Sequence, residues 1–497
     1  MNFMNATKTW LAGGLATVVL AVGGCTAATV AATTSTSTST GTSTSATVAL
    51  TADHDDTADH TWDTSTEVTI DLSNPTATDG VTVKDGVITI SAAGAYRLSG
   101  TLADGQVVVD TEDAGSVHLI LDNASITNND GSAIVIDKAE LALIVLAKGT
   151  TNTVTDGATY AATGDDDPNS AIWSDSDLTI LGEGTLNVTG NYNDAINGSD
   201  GVVIVSGTIN ATAKDDGIRG KDYLVIKGGT LAVTSSAGDT LKSDNEEDSG
   251  LGYVSIVDGT VALTSADDGI DAWSAISITG GSTTVASSVE GLEAKTISIS
   301  GGTTTVTASD DGINATDSAS TAGDMEAQDG TILSISGGEL TVTADGDGLD
   351  SNGDIAMSGG TVVVNGPTNN GNAALDYNGT FLITGGSLMA GGSAGMAQAP
   401  GTESSQKSLM ISVNAAAGST IEVKDSSGTV IATFKPTRQT GSLVVSNDKV
   451  KEGETYTVYV DGATSGTTDT SQVTNGGGMG GGGGRGGGGR PDDQTTP

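Results

Sequence analysis

The amino-acid sequence predicts an all-β protein, a parallel β-helix (solenoid) over residues 67–400 followed by a small antiparallel β module over 405–462. Three observations lead there. Between Asn193 and Tyr377 one phrase recurs, as Asn193-Asp194-Ala195-Ile196, Asp215-Asp216-Gly217-Ile218, Gly238-Asp239-Thr240-Leu241, Asp267-Asp268-Gly269-Ile270, Val289-Glu290-Gly291-Leu292, Asp310-Asp311-Gly312-Ile313 and Gly346-Asp347-Gly348-Leu349. After each phrase comes a strand-like run, a turn around Gly-Gly and a second strand, as in Ile297-Ser298-Ile299-Ser300-Gly301-Gly302-Thr303-Thr304-Thr305-Val306. Composition agrees: there are 72 glycines, aromatics make up 3%, and Thr, Ser, Val and Ile fill the periodic part, which disfavours helix.

The acids Asp194, Asp216, Asp239, Asp268, Glu290, Asp311 and Asp347 recur at intervals in the low twenties, with longer gaps before Asp268 and Asp347. A β-rich period of that length belongs to a solenoid in which each repeat adds one rung. The longer gaps hold Asp244-Asn245-Glu246-Glu247-Asp248 and the stretch from Asp317 to Asp329. They read as loops inserted on the outside of the coil, where added length costs little.

In chain order, Lys8 precedes an apolar run from Leu11 to Val22 and then Val22-Gly23-Gly24-Cys25, which resembles a bacterial lipobox closing a secretory signal over residues 1–25. The resemblance implies diacylglycerol attachment at Cys25, and hence a bacterial cell envelope location, extracellular or on the outer-membrane face. A plain signal peptide or a short membrane anchor would leave Cys25 incidental; the run is short for a span. Residues 26–66 are dominated at first by Thr, Ser and Ala and read as a disordered tether. Within it, Asp53-His54-Asp55-Asp56 and Asp59-His60 match no closed metal site and read as solvated linker.

From Glu67 strand runs follow one another between Gly, Asp and Asn turn signals, among them Val87-Ile88-Thr89-Ile90 and Val117-His118-Leu119-Ile120-Leu121. His118 alternates with apolar neighbours and reads as an outward structural residue. Ser132-Ala133-Ile134 and Ser170-Ala171-Ile172 stand where the acid phrase would, without its acid. Residues two apart on a strand share a face. One core column is therefore Leu186, Ile209, Leu231, Val261, Leu340, Val362 and Leu388; a second is Val188, Val233, Leu263, Val285, Val306, Val342 and Val364. A third runs just after the acids through Ile196, Ile218, Leu241, Ile270, Leu292, Ile313, Leu349 and Leu375. Thr185, Thr208, Thr230, Thr260, Ser282, Thr303 and Thr361 fall on an outward column broken by Glu339, as suits exposed strands. The period breaks at Ser408, where short strands around the hairpin turn Lys424-Asp425-Ser426-Ser427-Gly428 read as a cap or accessory module. Residues 463–497 read as a Gly-rich disordered tail.

With 62 acids against 19 bases the formal charge is -43, which repels nucleic acid and anionic membrane and attracts divalent cations. Stacked rungs would place the acids about 5 Å apart, where neighbouring charges repel by about 1 kcal/mol in water and by about 3 to 4 at an effective dielectric of 20. Raised pKa values, hydrogen bonds from turn amides or bound cations could relieve this. Calcium suits the donors best, since it takes six to eight oxygens, whereas zinc prefers His or Cys. The candidate calcium ligands are Asp194, Asp215, Asp216, Asp239, Asp267, Asp268, Asp271, Glu290, Asp310, Asp311, Asp347 and Asp350. An Asp-Gly pair can also simply make a turn, but that leaves the doubled acids and Glu290 unexplained. The residues after the inward Ile or Leu form an outward stripe: Trp173, Asn197, Arg219, Lys242, Asp271, Glu293, Asn314, Asp350 and Asp376. Within it Arg219 and Lys242 could clamp carboxylates of a polymer and Trp173 could stack on a sugar, against plainer roles as ion-pair or packing residues.

The run from Tyr96 to Val109, the repeated Asp-Asp-Gly-Ile phrases and Asp347-Gly348-Leu349-Asp350-Ser351-Asn352-Gly353 resemble the secreted bacterial carbohydrate-binding β-helix proteins first described in cellulolytic clostridia. The resemblance implies a right-handed parallel β-helix related in shape to pectate lyases, with calcium along it and affinity for cellulose and acidic polysaccharides such as polygalacturonate. It maps the motif acids onto Asp215, Asp216, Asp267, Asp268, Asp310, Asp311, Asp347 and Asp350; the chain departs from the motif at Gly238-Asp239-Thr240 and Val289-Glu290-Gly291. The expected function is a surface-anchored, calcium-dependent carbohydrate-binding protein. The alternatives are a calcium-dependent pectate-type lyase with Lys242 or Arg219 as base, and an adhesin whose calcium only stiffens a rod.

Overall fold

The computed structural model describes residues 50–472 except positions 162, 165, 166 and 324. Cys25, the expected signal and most of the expected tail lie outside the described residues. Each coil has three strands. In one coil these are Asp194–Gly198, Gly201–Ile204 and Thr208–Ala213; in the next they are Ile218–Gly220, Tyr223–Ile226 and Thr230–Ser235. Successive coils pair in parallel, with Ile196 opposite Ile218, Val202 opposite Leu224 and Ile209 opposite Leu231. This is the expected parallel β-helix, and its ladders satisfy the backbone groups that a buried strand cannot leave unpaired.

The inward columns follow from the alternation of side chains along each strand. Leu186, Ile209, Leu231 and Val261 stand in one register, as do Leu340, Val362 and Leu388, and all are buried. Thr283 and Thr304 bridge the two groups, are buried, and have hydroxyls without a hydrogen-bond partner. Threonine keeps the shape of valine there at the expense of a desolvated hydroxyl. The outward Thr column is in register as expected, with Glu339 opposite Thr303 and Thr361.

Three corners separate the strands. The first, between first and second strands, takes both inserted loops, which lie between Leu241–Ser243 and Tyr253–Ile256 and between Ile313–Ala315 and Ile332–Ile335. The second carries the Gly-Gly turns, with a left-handed glycine in coil after coil, at Gly207, Gly229, Gly259, Gly281, Gly302, Gly338, Gly360 and Gly386. The third carries the acid phrase.

Both ends of the coil are closed. Val81–Lys84 and Val87–Ile90 form an antiparallel hairpin across Asp85 and Gly86, whose φ values of 51° and 85° suit a primed turn. At the other end Thr440–Ser446 runs antiparallel to the last coil strand Ser387–Gly392 and to Ser408–Ala415, so that strand is paired instead of exposed. A four-stranded antiparallel sheet of Ile421–Lys424, Val430–Phe434, Thr455–Val460 and Ala463–Asp469 completes the module. The expected boundary at 462 is thus corrected. Ala463–Asp469 pairs with Thr455–Val460 through its backbone and buries only Thr468, so it carries no apolar pattern to announce a strand.

A larger correction concerns the expected tether. Residues 50–66 are bound along the outer face of the second strands as a strap. Thr51 N–H donates to Gly250 C=O at 3.2 Å and Tyr253 donates to Thr51 C=O at 2.6 Å. His54 meets Tyr223 and Thr179 at 2.9 Å each, and Lys227 pairs with Asp53 and Asp55. Further along, His60 pairs with Asp55, and His118 bonds Asp59 C=O at 2.8 Å. His118 is therefore structural, as its alternation suggested. Leu50 packs against Val203, Tyr223 and Tyr253, and Trp62 against Ile120, Leu143 and Leu181. The strap covers an apolar outer surface that the second strands would otherwise expose.

Candidate cation and carbohydrate site

At the third corner each acid is tied to the next coil. The Asp194 carboxylate accepts from Asp216 N–H at 3.0 Å, Asp216 from Asp239 N–H at 2.9 Å, Asp239 from Asp268 N–H at 2.9 Å and Asp268 from Glu290 N–H at 3.0 Å. Asp311 accepts from Asp347 N–H at 2.6 Å and Asp347 from Ala373 N–H at 2.5 Å. One carboxylate oxygen thus closes an orphan turn amide. The Glu290 carboxylate also accepts from Asn314 Nδ2, in the next coil, at 2.8 Å.

The phrase also alternates in a way the spacing alone does not reveal. Doubled acids at Asp215-Asp216, Asp267-Asp268 and Asp310-Asp311 are each followed one coil later by Gly238, Val289 or Gly346 before the single acid. A Cβ at Gly238 would lie 2.4 Å from Asp215 Oδ1, and one at Gly346 would lie 2.4 Å from Asp310 Oδ1. The glycine makes room for the preceding pair.

Charge is balanced differently along the ladder. In the earlier coils protein cations do it. Lys242 Nζ sits 3.0 Å from Asp239 and 3.4 Å from Asp216, and Arg219 forks onto Asp244 at 2.8 and 3.1 Å. Burial works against the Lys242 ammonium, but Asp216, Asp239 and Asp271 outweigh it and hold the proton on. Burial, then Asp216, drives Asp194 well above the carboxylate range. Asp216 rises to about 6 through burial, with Lys242 opposing.

Further on, acids face acids. Asp268, Glu290 and Glu293 bring carboxylate oxygens within 4.8 Å of one another, as do Asp239, Asp267 and Asp268, and Asp311, Asp347 and Asp350. Burial and then Asp239 push Asp268 up to about 9; burial and then Glu293 push Glu290 up to about 11. Asn314 stands in register between Glu293 and Asp350, and its side-chain oxygen is buried without a hydrogen-bond partner among the described residues. Glu293 and Asn314 are oxygen donors that sequence reasoning placed on the stripe but not among the ligands. Their signal was the register itself, since both directly follow the inward column.

The other expected positions divide clearly. Asp271 and Asp350 are buried on the stripe, Asp215 is half-buried, and Asp267 and Asp310 are exposed. Trp173 is corrected as a sugar platform: at 8% exposure, between Val135 and Asn197, its ring is enclosed. Arg219 and Lys242 are engaged with Asp244, Asp239 and Asp216 instead of standing open to a ligand.

Burial and neighbouring carboxylates favour the protonated form of Asp268 and Glu290. In a chelator the folded chain keeps protons at Asp268 and Glu290 that the unfolded chain has lost, so its stability falls as pH rises from about 5 to about 9. Thermal unfolding in chelator should show a lower midpoint at the higher pH, and added calcium should remove the decline. A midpoint that stays level in chelator would mean that the two groups ionise without penalty.

Residues 84–332 match the model of the family described as carbohydrate-binding domain-containing proteins. A protein of that description from Acetivibrio thermocellus is 38% identical over 210 residues, which are 42% of this chain and 73% of the relative. A solved structure described as a polysaccharide lyase-like protein from C. thermocellum, a gadolinium derivative, is 35% identical, covers 44% of this chain and 90% of its own, and has a TM-score of 0.42. By the extent of these sequence matches, the chain belongs to the family of carbohydrate-binding domain-containing proteins.

Proposed function

We propose that this protein holds an acidic or cellulosic polysaccharide, of the polygalacturonate kind, through calcium bound along the third corner of the coil, and that it is carried on the bacterial envelope by a lipid at Cys25. The observation that carries the reading is the half-buried group of Asp268, Glu290 and Glu293 beside the buried, unpartnered oxygen of Asn314. It supplies only oxygen donors, from carboxylates and an amide, in surroundings that disfavour bare negative charge. That is the ligand set calcium accepts, and a cation there can keep positions open for the carboxylates of a polymer. Binding is favoured over β-elimination because Lys242, whose neutral amine a lyase would need as base, is held as an ammonium by three aspartates.

The test follows the full chain with polygalacturonate and calcium, by co-sedimentation and by ultraviolet absorbance of unsaturated product. Pelleting lost in chelator, without product, is the expected result, and Asn314→Ala should raise the calcium concentration needed by about tenfold. Product that requires calcium would make the protein a lyase. Pelleting indifferent to chelator would remove calcium from the mechanism.

A further inference from the structure

Away from the acid corner, the outer face of the second strands carries a cleft of about 420 Å³ beside the strap, within the size range of small-ligand sites. Trp62, Arg97, Asp122, Val145, Lys148 and Glu183 line it. The strap delivers the indole. Trp62 Nε1 donates to Glu67 at 2.9 Å, and Arg97 grips the same carboxylate through Nε and Nη2 at 2.7 and 3.0 Å. The third arm of that guanidinium reaches Asp122 at 3.1 Å, while Lys148 pairs with Glu183 at 2.6 Å. Beneath lies the apolar patch of Ile120, Leu143 and Val145.

Two properties decide what fits. Every charged side chain lining the cleft has an opposite partner about 3 Å away, so in a chain of formal charge -43 this surface neither demands nor repels ionic ligand groups. The cleft also sets an aromatic ring and aliphatic side chains beside planar groups that donate and accept at fixed positions. A pyranose ring has the complementary form, an apolar C–H face with hydroxyls around its edge. We infer that the cleft binds a neutral sugar ring of a polysaccharide, with the ring against Trp62 and its hydroxyls bonded by Arg97, Asp122, Lys148 and Glu183. The inference rests on the carbohydrate-binding family membership and not on the calcium reading. Trp62 precedes the residues that the family model matches, so the strap adds this site to the matched part of the chain.

The test titrates the full chain in chelator with neutral oligosaccharides of β-glucan, xylan and mannan, following tryptophan emission and heat of binding. At least one should bind with a change in emission. Trp62→Ala should weaken it about tenfold and Trp62→Phe should recover part of the loss. Glu183→Ala, whose side chain pairs with Lys148 and not with the strap, should weaken it about fivefold while the fold stays intact. Calcium-dependent pelleting of polygalacturonate should be unchanged in all three variants. Failure of all three sugars to bind the parent, or affinities in Trp62→Ala and Glu183→Ala that equal the parent's, would overturn the inference. Loss of chelator-sensitive pelleting in the parent would instead overturn the calcium reading and leave this one standing.

Discussion

Replacing Lys242 with methionine is expected to destabilise the calcium-free chain by about 3 to 5 kcal/mol, the loss typical when one partner of a buried ion pair is removed. Methionine keeps most of the volume, so the effect isolates the charge. Asp216 and Asp239 are 8% and 5% exposed at the side chain, and Lys242 bridges them. Without it two nearly buried carboxylates face each other with Asp271 close by, and they must take up protons or recruit a cation. Urea unfolding in chelator and in millimolar calcium would measure both parts. The midpoint should fall sharply in chelator, and calcium should recover more stability in the variant than it adds to the parent. A loss below about 1 kcal/mol would show that the ammonium is effectively solvated, as in an exposed pair.

The second large effect is steric. Gly302→Ala is expected to cost about 2 to 4 kcal/mol, because the residue has φ of 72° and a Cβ would stand 2.5 Å from the carbonyl oxygen of Gly280 in the preceding coil. The clash is with backbone, so no side-chain rotation relieves it. Gly428 is the internal comparison: its φ is 86°, but nothing lies within 4 Å of an added Cβ. Gly428→Ala should therefore cost only about 1 to 2 kcal/mol, from the left-handed backbone alone. Equal losses in the two variants by thermal unfolding would show that coil stacking adds nothing to the penalty at Gly302.

Much of this was legible before any coordinates. The repeat period, the core columns and the outside position of the inserted loops follow from alternation along a strand, a local property that survives in the order of residues. A signal for the strap is also present in the sequence. Second strands such as Ala142-Leu143-Ile144-Val145-Leu146 and Tyr223-Leu224-Val225-Ile226 are apolar on both faces, as strands covered on both sides are. What covers them could not be named, because the covering residues are polar in composition and distant in sequence. Thr51 and Tyr253, for example, are joined across 202 positions.

The candidate site divides in the same manner. The acids were found because one stands at a fixed place in every repeat, and the choice of oxygen-loving cations follows from their chemistry. The alternation of doubled acids with Gly238 and Gly346 could be read in the chain, but its reason is a distance between coils. The sequence by itself determined the coil, its inward columns and the line of carboxylates, since each depends only on periodicity and side-chain type. Only the tertiary structure decided that Lys242 and Arg219 are engaged, that Trp173 is enclosed, that Trp62 lines a cleft and that Asn314 joins the acids. Those depend on neighbours brought together by stacking and by the strap, and burial and charge pairing are properties of such neighbours, not of any residue alone.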